Sequence, residues 1–515
     1  MRTSPLLEHW REHAASDGAA ILDDEGTHSY RSIDDRARRV ASSLLSGTRS
    51  LLGERVAILV SPGASWVECF FGVLLAGGCV VVLSPLHPAA ETAYFMGDAE
   101  VETILVSPAL AGRVAALGGT RRVLTTGELR IGALRELPAE AGAEDPALQL
   151  YTSGTTGKPK GAVITHENLG VQQALLRDAW GWRGGDVLVH ALPLHHLHGL
   201  GIALLTCLGA GAAARMLPEF DAARLWETMA EATVFMGVPT MYTKLFAAFD
   251  AADSGTQERW AHGARQLRLA TSGSAALPVR LGERWKAITG RYPLERFGMT
   301  EIGVGMTNPS DGERRPGTVG LPLPTVEARI VGEGGVDAPS GELWIRGPSV
   351  FTRYHLREEA TLAAFVPANG GDRAWFKTGD TVTRDDAGYF KILGRTSVDI
   401  LKSGGYKLSA LEIEEALREH PAIAEAAVVG IPDETWGDRV VACIIARAGR
   451  EAECSEASVR AFCKERLAVY KVPKEVVLVT ELPRTAIGKV VKPEVVRLLI
   501  AKAAARGATG PASRP

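Results

Sequence analysis

The sequence contains few cysteines, and none are paired at a metal-binding spacing. Its six cysteines lie far apart, without a C-x-x-C pair, so we predict neither a zinc site nor a disulfide framework. Scattered thiols of this kind are typical of buried side chains in a reducing compartment, and we expect a cytoplasmic protein. The histidines of HHLHG at 195–199 lack the carboxylate and the spacing of H-E-x-x-H, which argues against a zinc protease motif.

An excess of charge of one sign and long apolar runs are also missing. The chain of 515 residues has 57 Lys and Arg against 60 Asp and Glu, a formal net charge of −3, which favours neither a nucleic-acid binder nor a membrane-surface protein. The most apolar stretch, CFFGVLLAGGCVVVL at 69–83, is shorter than the roughly 20 residues of a membrane-spanning helix. Residues 1–20 lack a continuous apolar segment, so neither a signal peptide nor a transit peptide is predicted.

Apolar segments without polar alternation recur along the first part of the chain. RVAILV (55–60) and CVVVLS (79–84) flank a helical stretch from Ala64 to Ala76, and continuous apolar strands are typical of a parallel sheet covered on both faces. Further segments of the same kind are TILVS (103–107), DVLVHALP (186–193), ATVFMGVP (232–239) and LRLATSGS (267–274). Because helical stretches separate most of these strands, a doubly wound α/β body is predicted.

The pattern changes after about residue 315, where VEARIV, GELWIRG and GYFKILG indicate short antiparallel strands that would form a small subdomain. Further on, Ser409 followed by Glu412 predicts a capped helix that ends before Pro421. We therefore predict a large N-terminal domain and a smaller, mobile α+β lid domain. The predicted boundaries are 1–393 for the N-terminal domain, 394–400 for a hinge, 401–503 for the lid and 504–515 for a disordered tail.

The segment YTSGTTGKPKG at 151–161 combines glycines, hydroxyls and two lysines. It follows the predicted strand ALQLY (147–151), and strand ends are where α/β folds bind ligands. Glycines let backbone N–H groups approach an anion, while Lys158 and Lys160 add positive charge. It is not a Walker A loop, because Pro159 follows Lys158. On composition alone, a polyphosphate site and a flexible surface turn fit equally well.

Five motifs in order resemble the adenylate-forming superfamily of acyl-CoA synthetases, adenylation domains and luciferases. They are YTSGTTGKPKGAVITHENL, ERFGMTE, KTGD, GRTSVDILKSGGYKLSALEIE and PRTAIGKVVK. The resemblance implies that a carboxylate attacks the α-phosphate of ATP, giving an acyl-adenylate and pyrophosphate, and that a thiol, usually of coenzyme A, then displaces AMP. The implied cofactors are ATP, Mg²⁺ and coenzyme A. Charge accumulates in the first step, so catalysis would rest on positioning and electrostatic stabilisation.

The resemblance also assigns the nucleotide-binding residues. They are Thr152, Ser153, Gly154, Thr155, Thr156, Gly157, Lys158, Gly273, Ser274, Ala275, Arg296, Phe297, Gly298, Met299, Thr300, Asp380, Arg395 and Lys489. In this scheme Thr300 touches the α-phosphate, and Glu301 holds Mg²⁺, which prefers oxygen ligands. Asp380 accepts hydrogen bonds from the ribose hydroxyls. Lys489 stabilises the charge that develops between the attacking carboxylate and the α-phosphate.

The lid of such enzymes rotates between the two half-reactions, and the resemblance makes Asp399 the pivot. GRTSVDILK has one residue more between Gly-Arg and the acid than many members have, which leaves a neighbour of Asp399 as the alternative pivot. Gly404 and Gly405 would line the channel for the pantetheine arm, where side chains would block a thin thiol.

Arg296, directly before FGMTE, stands where most acyl-CoA synthetases have a neutral residue. A cation beside the acyl pocket is costly unless the substrate brings an anion, and a dicarboxylate matches an arginine fork. The surrounding segments resemble malonyl-CoA synthetases, which implies malonate or methylmalonate as the acid. The implied substrate contacts are Arg296, Ser274, Lys244, His196, Val304 and Met306, and His196 joins Lys489, Thr300 and Glu301 as a predicted catalytic residue. The alternatives are a structural ion pair of Arg296 with Glu295 or Glu301, and a solvated helix position for Lys244.

Three other functions stay open from the sequence: a fatty or aromatic acyl-CoA ligase, a stand-alone adenylation enzyme that loads a carrier protein, and a non-catalytic nucleotide sensor. Preference for octanoate over malonate would indicate the first, and a carrier accepted in place of coenzyme A would indicate the second. The complete motifs argue against the third. The predicted partners are the acid, ATP and coenzyme A, without nucleic acid or membrane insertion.

Overall fold

The computed structural model describes residues 3–115, 121–129, 134, 136–138, 141–152, 158–367, 373–404, 406–433, 435–484 and 490–508. The helices are α1 Pro5–Ala14, α2 Tyr30–Leu44, α3 Ala64–Leu75, α4 Ala89–Asp98, α5 Ala111–Ala115, α6 Thr126–Leu129, α7 His166–Ala179, α8 Leu205–Gly209, α9 Ala222–Thr228, α10 Pro239–Ala251, α11 Ser254–Arg265, α12 Val279–Thr289, α13 Glu358–Ala364, α14 Ala410–Arg418, α15 Glu456–Lys464 and α16 Lys492–Ala508.

The strands are β1 Ala19–Asp23, β2 Gly26–Ser29, β3 Arg55–Leu59, β4 Cys79–Val82, β5 Thr103–Val106, β6 Arg122–Thr125, β7 Pro146–Thr152, β8 Lys160–Thr165, β9 Val187–His190, β10 Ala213–Met216, β11 Val234–Gly237, β12 Leu269–Ser272, β13 Leu294–Met299, β14 Gly303–Thr307, β15 Leu321–Pro322, β16 Glu327–Val331, β17 Ser340–Arg346, β18 Arg353–Tyr354, β19 Phe365–Val366, β20 Trp375–Arg384, β21 Phe390–Arg395, β22 Ile400–Ser403, β23 Tyr406–Ser409, β24 Ile423–Asp433, β25 Gly437–Ala446 and β26 Glu475–Leu478.

Within the described ranges the strands form four sheets. A nine-stranded sheet has the order β15-β14-β13-β12-β11-β9-β10-β1-β2, and a seven-stranded sheet has the order β18-β8-β7-β4-β3-β5-β6. A five-stranded sheet has the order β16-β17-β20-β19 with β21 beside β20, and another has the order β23-β22-β25-β24 with β26 beside β25. The two large sheets are mainly parallel, as the unbroken apolar strands predict, with β3 parallel to both β4 and β5.

The strand before the predicted phosphate segment belongs to a hairpin. β7 runs parallel to β4 on one side and antiparallel to β8 on the other. The segment therefore joins two antiparallel strands, whereas a nucleotide loop of the Walker type leads from a strand into a helix. Both strands are apolar and buried through most of their length, so they fix the two ends of the segment.

The chain divides into two compact units by the contacts among its residues. The first contains Met1–Ala328 and Ile345–Phe376, and the second contains Arg329–Trp344 and Lys377–Pro515. The second unit thus includes residues that precede the predicted hinge at 394–400, and the predicted domain boundaries stay a prediction. Helix α16 continues to Ala508, past residue 504, where the sequence predicts the start of the tail.

The second unit is an α+β body with its own core. Buried apolar residues of β22, α14, β24 and β25 pack together there, among them Leu401, Ile413 and Val428. Helix α14 begins where the sequence predicts, because the Ser409 hydroxyl accepts a hydrogen bond from the Glu412 N–H at 3.1 Å. The Glu412 carboxylate binds the Lys471 ammonium at 2.6 and 2.8 Å.

The described helices include none that is both long and apolar enough to cross a bilayer. All six cysteines are buried and none forms a disulfide bond, as the sequence predicts.

Candidate active site

Arg296 is a buried cation without an ion-pair partner among the residues that the structure describes. It lies in β13 opposite Thr307 of β14, and only 4% of its surface is exposed. Its Nε and Nη2 atoms have no hydrogen-bond partner in the described part of the chain. Burial lowers the pKa of the guanidinium to about 10, so the group stays charged at neutral pH. Such a group favours an anionic ligand, because an unpaired buried charge is costly.

The two acidic neighbours of Arg296 in sequence have other partners. A carboxylate oxygen of Glu295 accepts a hydrogen bond from the Gly317 N–H at 2.9 Å. The Glu301 carboxylate accepts one from the Tyr354 hydroxyl, also at 2.9 Å. Within the described residues neither acid forms an ion pair with Arg296, so the structural ion pair that the sequence allowed is not found.

Gly273 gives the Arg296 side chain its space. A Cβ atom at position 273 would lie 2.4 Å from both Cζ and Nε of Arg296, so a larger residue would displace the guanidinium. The next residue, Ser274, has a φ angle of 68°, a left-handed conformation that is uncommon for serine. The Ser274 hydroxyl lies 3.2 Å from Nδ1 of His198. The turn after β12 therefore brings Ser274, Arg296 and His198 together.

His198 is a neutral imidazole beside this cation. It begins a π-helical segment, His198–Leu204, and such segments are rare and often lie at functional sites. Burial, followed by the charge of Arg296, holds the pKa of His198 well below its usual value. Its Nε2 atom has no hydrogen-bond partner among the described residues, so it can bond a ligand without adding charge. The predicted His196 is half-buried, with its ring 4.3 Å from that of His195.

Thr300 and Glu301 are the two residues that come directly after β13 in the chain. Glu301 is 5% exposed, and its backbone carbonyl accepts a hydrogen bond from Phe351 N–H at 2.7 Å. Thr300 is partly exposed beside it. The donor set of one carboxylate and one hydroxyl fits Mg²⁺, which keeps several waters and binds substrate phosphates. Among the described residues, no three His, Cys, Asp or Glu side chains form a group that could hold a metal ion. The three histidines of HHLHG therefore do not form a metal site with one another.

The two ends of the phosphate segment are anchored by tyrosines. The Tyr94 hydroxyl donates to the Pro159 carbonyl at 2.8 Å, and the Lys158 ammonium lies 5.4 Å from the centre of the Tyr94 ring. At the other end, the Tyr151 hydroxyl donates to Asp98 at 2.9 Å, just before Thr152. The predicted residues Ser153, Gly154, Thr155, Thr156 and Gly157 lie outside the described residues.

Three predicted residues of the second unit lie together. Arg395 and Asp380 are opposite each other in the β20–β21 pair, with Arg395 Nε 3.2 Å from an Asp380 oxygen. The Asp399 carboxylate accepts a hydrogen bond from the Arg395 backbone N–H at 2.9 Å. Gly404 has a φ angle of 57°. The predicted Gly405 and Lys489 lie outside the described residues.

The other predicted substrate residues differ in burial. Val304 and Met306 are fully buried in β14. Lys244 lies on the exposed side of α10, with its ammonium 5.5 Å from the centre of the Phe220 ring, which fits the solvated helix lysine that the sequence allowed. Ala275 is exposed in the turn after β12. The remaining predicted residues, Phe297, Gly298 and Met299, are partly buried in β13.

Several side chains that contact the predicted site residues or their neighbours were not predicted from the sequence. The Gln172 side-chain oxygen accepts a hydrogen bond from the Val304 N–H at 2.7 Å, and a Cβ at Gly303 would collide with that oxygen. Tyr354 binds Glu301, and Asp98 binds the tyrosine before the phosphate segment. Gln172 and Asp98 are polar residues of helices α7 and α4, and the sequence carries no motif that marks them.

Comparisons with known proteins place these features in a family. The AMP-binding enzyme profile matches residues 7–355, and the profile of the AMP-binding enzyme C-terminal domain matches residues 412–489. The chain is 40% identical to the mitochondrial malonate–CoA ligase ACSF3 of Mus musculus, over 95% of this chain and 90% of that protein. It is 38% identical to a malonate–CoA ligase of Arabidopsis thaliana, over 94% and 86% of the two chains. The crystal structure of ATP-bound MatB from Rhodopseudomonas palustris matches with a TM-score of 0.87 and 34% identity, over 97% of this chain and 99% of that one.

Proposed function

Because this chain belongs to the AMP-binding enzyme family, we propose that it ligates malonate to coenzyme A with ATP, releasing AMP and pyrophosphate. Relatives at 38–40% identity over most of their length are malonate–CoA ligases, which supports the choice of acid. The single observation that carries it in this chain is the buried guanidinium of Arg296, which has no ion-pair partner in the described ranges. A monoacid would leave that charge without a partner, whereas malonate brings a second carboxylate.

In the proposed first step, one malonate carboxylate attacks the α-phosphorus of ATP. A new P–O bond forms, the bond to pyrophosphate breaks, and malonyl adenylate remains. Arg296 binds the distal carboxylate, while Ser274 and the neutral His198 supply further hydrogen bonds at that end. When the distal carboxylate is bound in this way, the other carboxylate of malonate is directed toward the nucleotide. Such positioning lowers the entropic part of the activation barrier.

We further propose that Glu301 holds Mg²⁺, which supplies charge neutralisation for the phosphates when bound. The Tyr354 hydroxyl donates a hydrogen bond to the Glu301 carboxylate and so fixes its orientation. Lys489 carries the remaining positive charge to the reacting carboxylate and α-phosphate, in line with its place in the C-terminal motif.

In the second step the coenzyme A thiolate attacks the carbonyl carbon of malonyl adenylate. A thioester bond forms, and the anhydride C–O bond breaks as AMP departs. The distal carboxylate of malonate takes no part in either bond change, so its contact with Arg296 can persist through both steps. Val304 and Met306, buried in β14, are proposed to limit the substituent on the α-carbon, and so to separate malonate from methylmalonate.

An acid panel tests the proposal. Malonate, methylmalonate, acetate, octanoate and coumarate are compared with ATP and coenzyme A, with AMP release and thioester formation as readouts. We expect malonate to have the highest kcat/KM, with acetate and octanoate lower by at least about 100-fold, since two charge-assisted hydrogen bonds are lost. Octanoate or coumarate as the best substrate would refute the assignment, as would a carrier protein accepted in place of coenzyme A.

We propose that the reaction takes place in the cytoplasm. The six cysteines are buried and form no disulfide bond, which supports a reducing compartment. The ACSF3 relatives are mitochondrial by name, so the test is fractionation of cells that express the tagged chain. Recovery with matrix markers would contradict the cytoplasmic assignment.

A further inference from the structure

Charged residues of the second unit form a connected series that runs from β20 to α14 and alternates in sign. Its members are Asp380, Arg395, Asp399, Lys492, Glu414 and Arg418. All are described residues of one unit. The first two are predicted nucleotide contacts and the third is the predicted hinge, while Lys492 and Glu414 have no assigned role. The series therefore connects the ribose contact to the core of the second unit.

Lys492 is the only member that contacts two carboxylates through a single ammonium group. Its Nζ atom binds an oxygen of Asp399, and it lies 2.7 Å from an oxygen of Glu414. Lysine and both acids are buried, with exposures of 8%, 8% and 4% for Lys492, Asp399 and Glu414. Glu414 has a second cation, Arg418 at 3.0 Å, and also accepts the Val428 N–H at 2.8 Å. Asp399 has no other cationic side chain within salt-bridge distance among the described residues, so it depends on Lys492.

The Asp399 carboxylate in turn holds the backbone of Arg395. The second carboxylate oxygen of Asp399 accepts a hydrogen bond from the Arg395 N–H at 2.9 Å. The backbone N–H of Asp399 donates to the Arg395 carbonyl at 2.8 Å. Gly394 makes this close return possible, because it has a φ angle of 132° and a Cβ there would lie 2.4 Å from Cβ of Asp399. The Arg395 guanidinium reaches Asp380 and also donates to the Thr378 carbonyl at 2.6 Å.

We propose that Lys492 is a positioning residue for nucleotide binding: it holds the Asp399 carboxylate, which fixes the backbone of Arg395 and so orients the Arg395 guanidinium beside Asp380. This inference rests on the proposed function, in which Arg395 and Asp380 contact ATP. Without Lys492, Asp399 would be a buried carboxylate without a cationic side chain, which is a strongly unfavourable arrangement. The carboxylate would then turn away, and the Arg395 N–H would lose its acceptor.

The test measures ATP–pyrophosphate exchange without coenzyme A for Lys492→Met, Lys492→Arg, Asp399→Asn and the Lys492→Met/Asp399→Asn double variant. Lys492→Met should raise the KM for ATP by at least about 10-fold and leave the KM for malonate within about 2-fold, as expected for lost nucleotide contacts. Lys492→Arg should recover most of the affinity for ATP. Lys464→Met, an exposed lysine of α15 in the same unit, is the matched control and should match the wild type.

The double variant shows whether Lys492 acts through Asp399. If it does, the double variant should have the KM for ATP of Asp399→Asn alone, because the two changes remove the same contact. Additive effects would overturn the proposal, as would a KM for ATP that Asp399→Asn leaves unchanged or equal rises in both KM values. If Lys492→Met does not fold, the double variant, which also removes the charge of Asp399, is used in its place. Its KM for ATP is then compared with that of Asp399→Asn. The readout is independent of the acid: if the panel selects another acid, the exchange assay uses that acid and the expectation for ATP is unchanged.

Discussion

The guanidinium of Arg296 lies directly against the backbone of Gly273, in the space that a Cβ atom would occupy. One residue is the buried cation of the proposed acid site, and the other belongs to the turn between β12 and α12 that also carries Ser274. The two strands that hold them, β12 and β13, are parallel neighbours in the nine-stranded sheet. The position of the charge is thus set by the sheet and by the absence of a side chain at 273.

Gly273→Ala should therefore damage the acid site more than the fold. The added methyl group would collide with Cζ and Nε of Arg296 and displace them, so kcat/KM for malonate should fall by about 10- to 100-fold. Steady-state kinetics with malonate varied at saturating ATP measures this. Gly185→Ala is the matched control, since a Cβ there has nothing within 4 Å. Equal activity in both variants would show that the guanidinium need not occupy its observed place.

Glu301→Gln should raise the Mg²⁺ requirement. The amide keeps the shape of the side chain but loses the charge that suits the metal, so activity at low Mg²⁺ should fall by about 10-fold or more and recover partly at high Mg²⁺. Titration of Mg²⁺ at fixed ATP measures the shift. Glu283→Gln, an exposed acid of α12, should have no effect. A loss that excess Mg²⁺ does not reduce would assign Glu301 a purely structural role with Tyr354.

Lys489→Ala should separate the two half-reactions. The ammonium group stabilises charge that develops when ATP is attacked, so adenylate formation should fall by at least about 100-fold. The thioester step from preformed malonyl adenylate and coenzyme A should be spared. Rapid-quench measurement of each half-reaction checks this, and Lys489→Arg should rescue the first step poorly because its planar group differs in shape. Equal losses in both steps would contradict the role.

His166 predicts how the stability of the first unit depends on pH. It is fully buried, its Nδ1 lies 2.7 Å from the Ser4 hydroxyl, and burial lowers its pKa to about 4. Since the unfolded chain binds the proton more tightly, the stabilising effect is complete above about pH 6.5 and is lost as the pH falls toward 4. Urea unfolding should show a loss of about 2 kcal/mol from this group between pH 7 and pH 5. In His166→Gln, the free energy of unfolding should lose about 2 kcal/mol less over this pH range than in the wild type. The same pH dependence in both proteins would show that His166 does not cause the loss.

Local features of the fold could be predicted from the sequence, and long-range partners could not. The apolar runs at 55–60 and 79–84 predicted β3 and β4 because parallel strands need apolar residues on both faces. The helix cap at Ser409 could also be predicted, because its partner, Glu412, lies only three residues further along the chain. In contrast, the lack of an ion pair at Arg296 among the described residues depends on the partners of nearby acids. One of these acids, Glu301, binds Tyr354, which lies 53 positions further along the chain.

The same limit applies in the second unit. Asp399 could be singled out from its motif, but its cation, Lys492, lies 93 positions further along the chain. A buried charge pair of this kind leaves no local pattern, since each residue alone is typical of a solvated surface. The motifs thus predicted the residues that the proposed chemistry needs, while the structure supplied the contacts around those residues that it describes.

The proposed function depends above all on Arg296, which we expect to bind the second carboxylate of a short diacid. Arg296→Gln should lower kcat/KM for malonate by at least about 100-fold, since charge-assisted hydrogen bonds are lost, and should leave kcat/KM for acetate within about 3-fold. Arg259→Gln, an exposed arginine of α11, serves as the control and should retain the preference for malonate. The decisive measurement is the ratio of kcat/KM for malonate to that for acetate in Arg296→Gln and the wild type. We predict that the ratio falls sharply in the variant. An unchanged ratio, with both acids equally impaired, would show that Arg296 does not bind the second carboxylate.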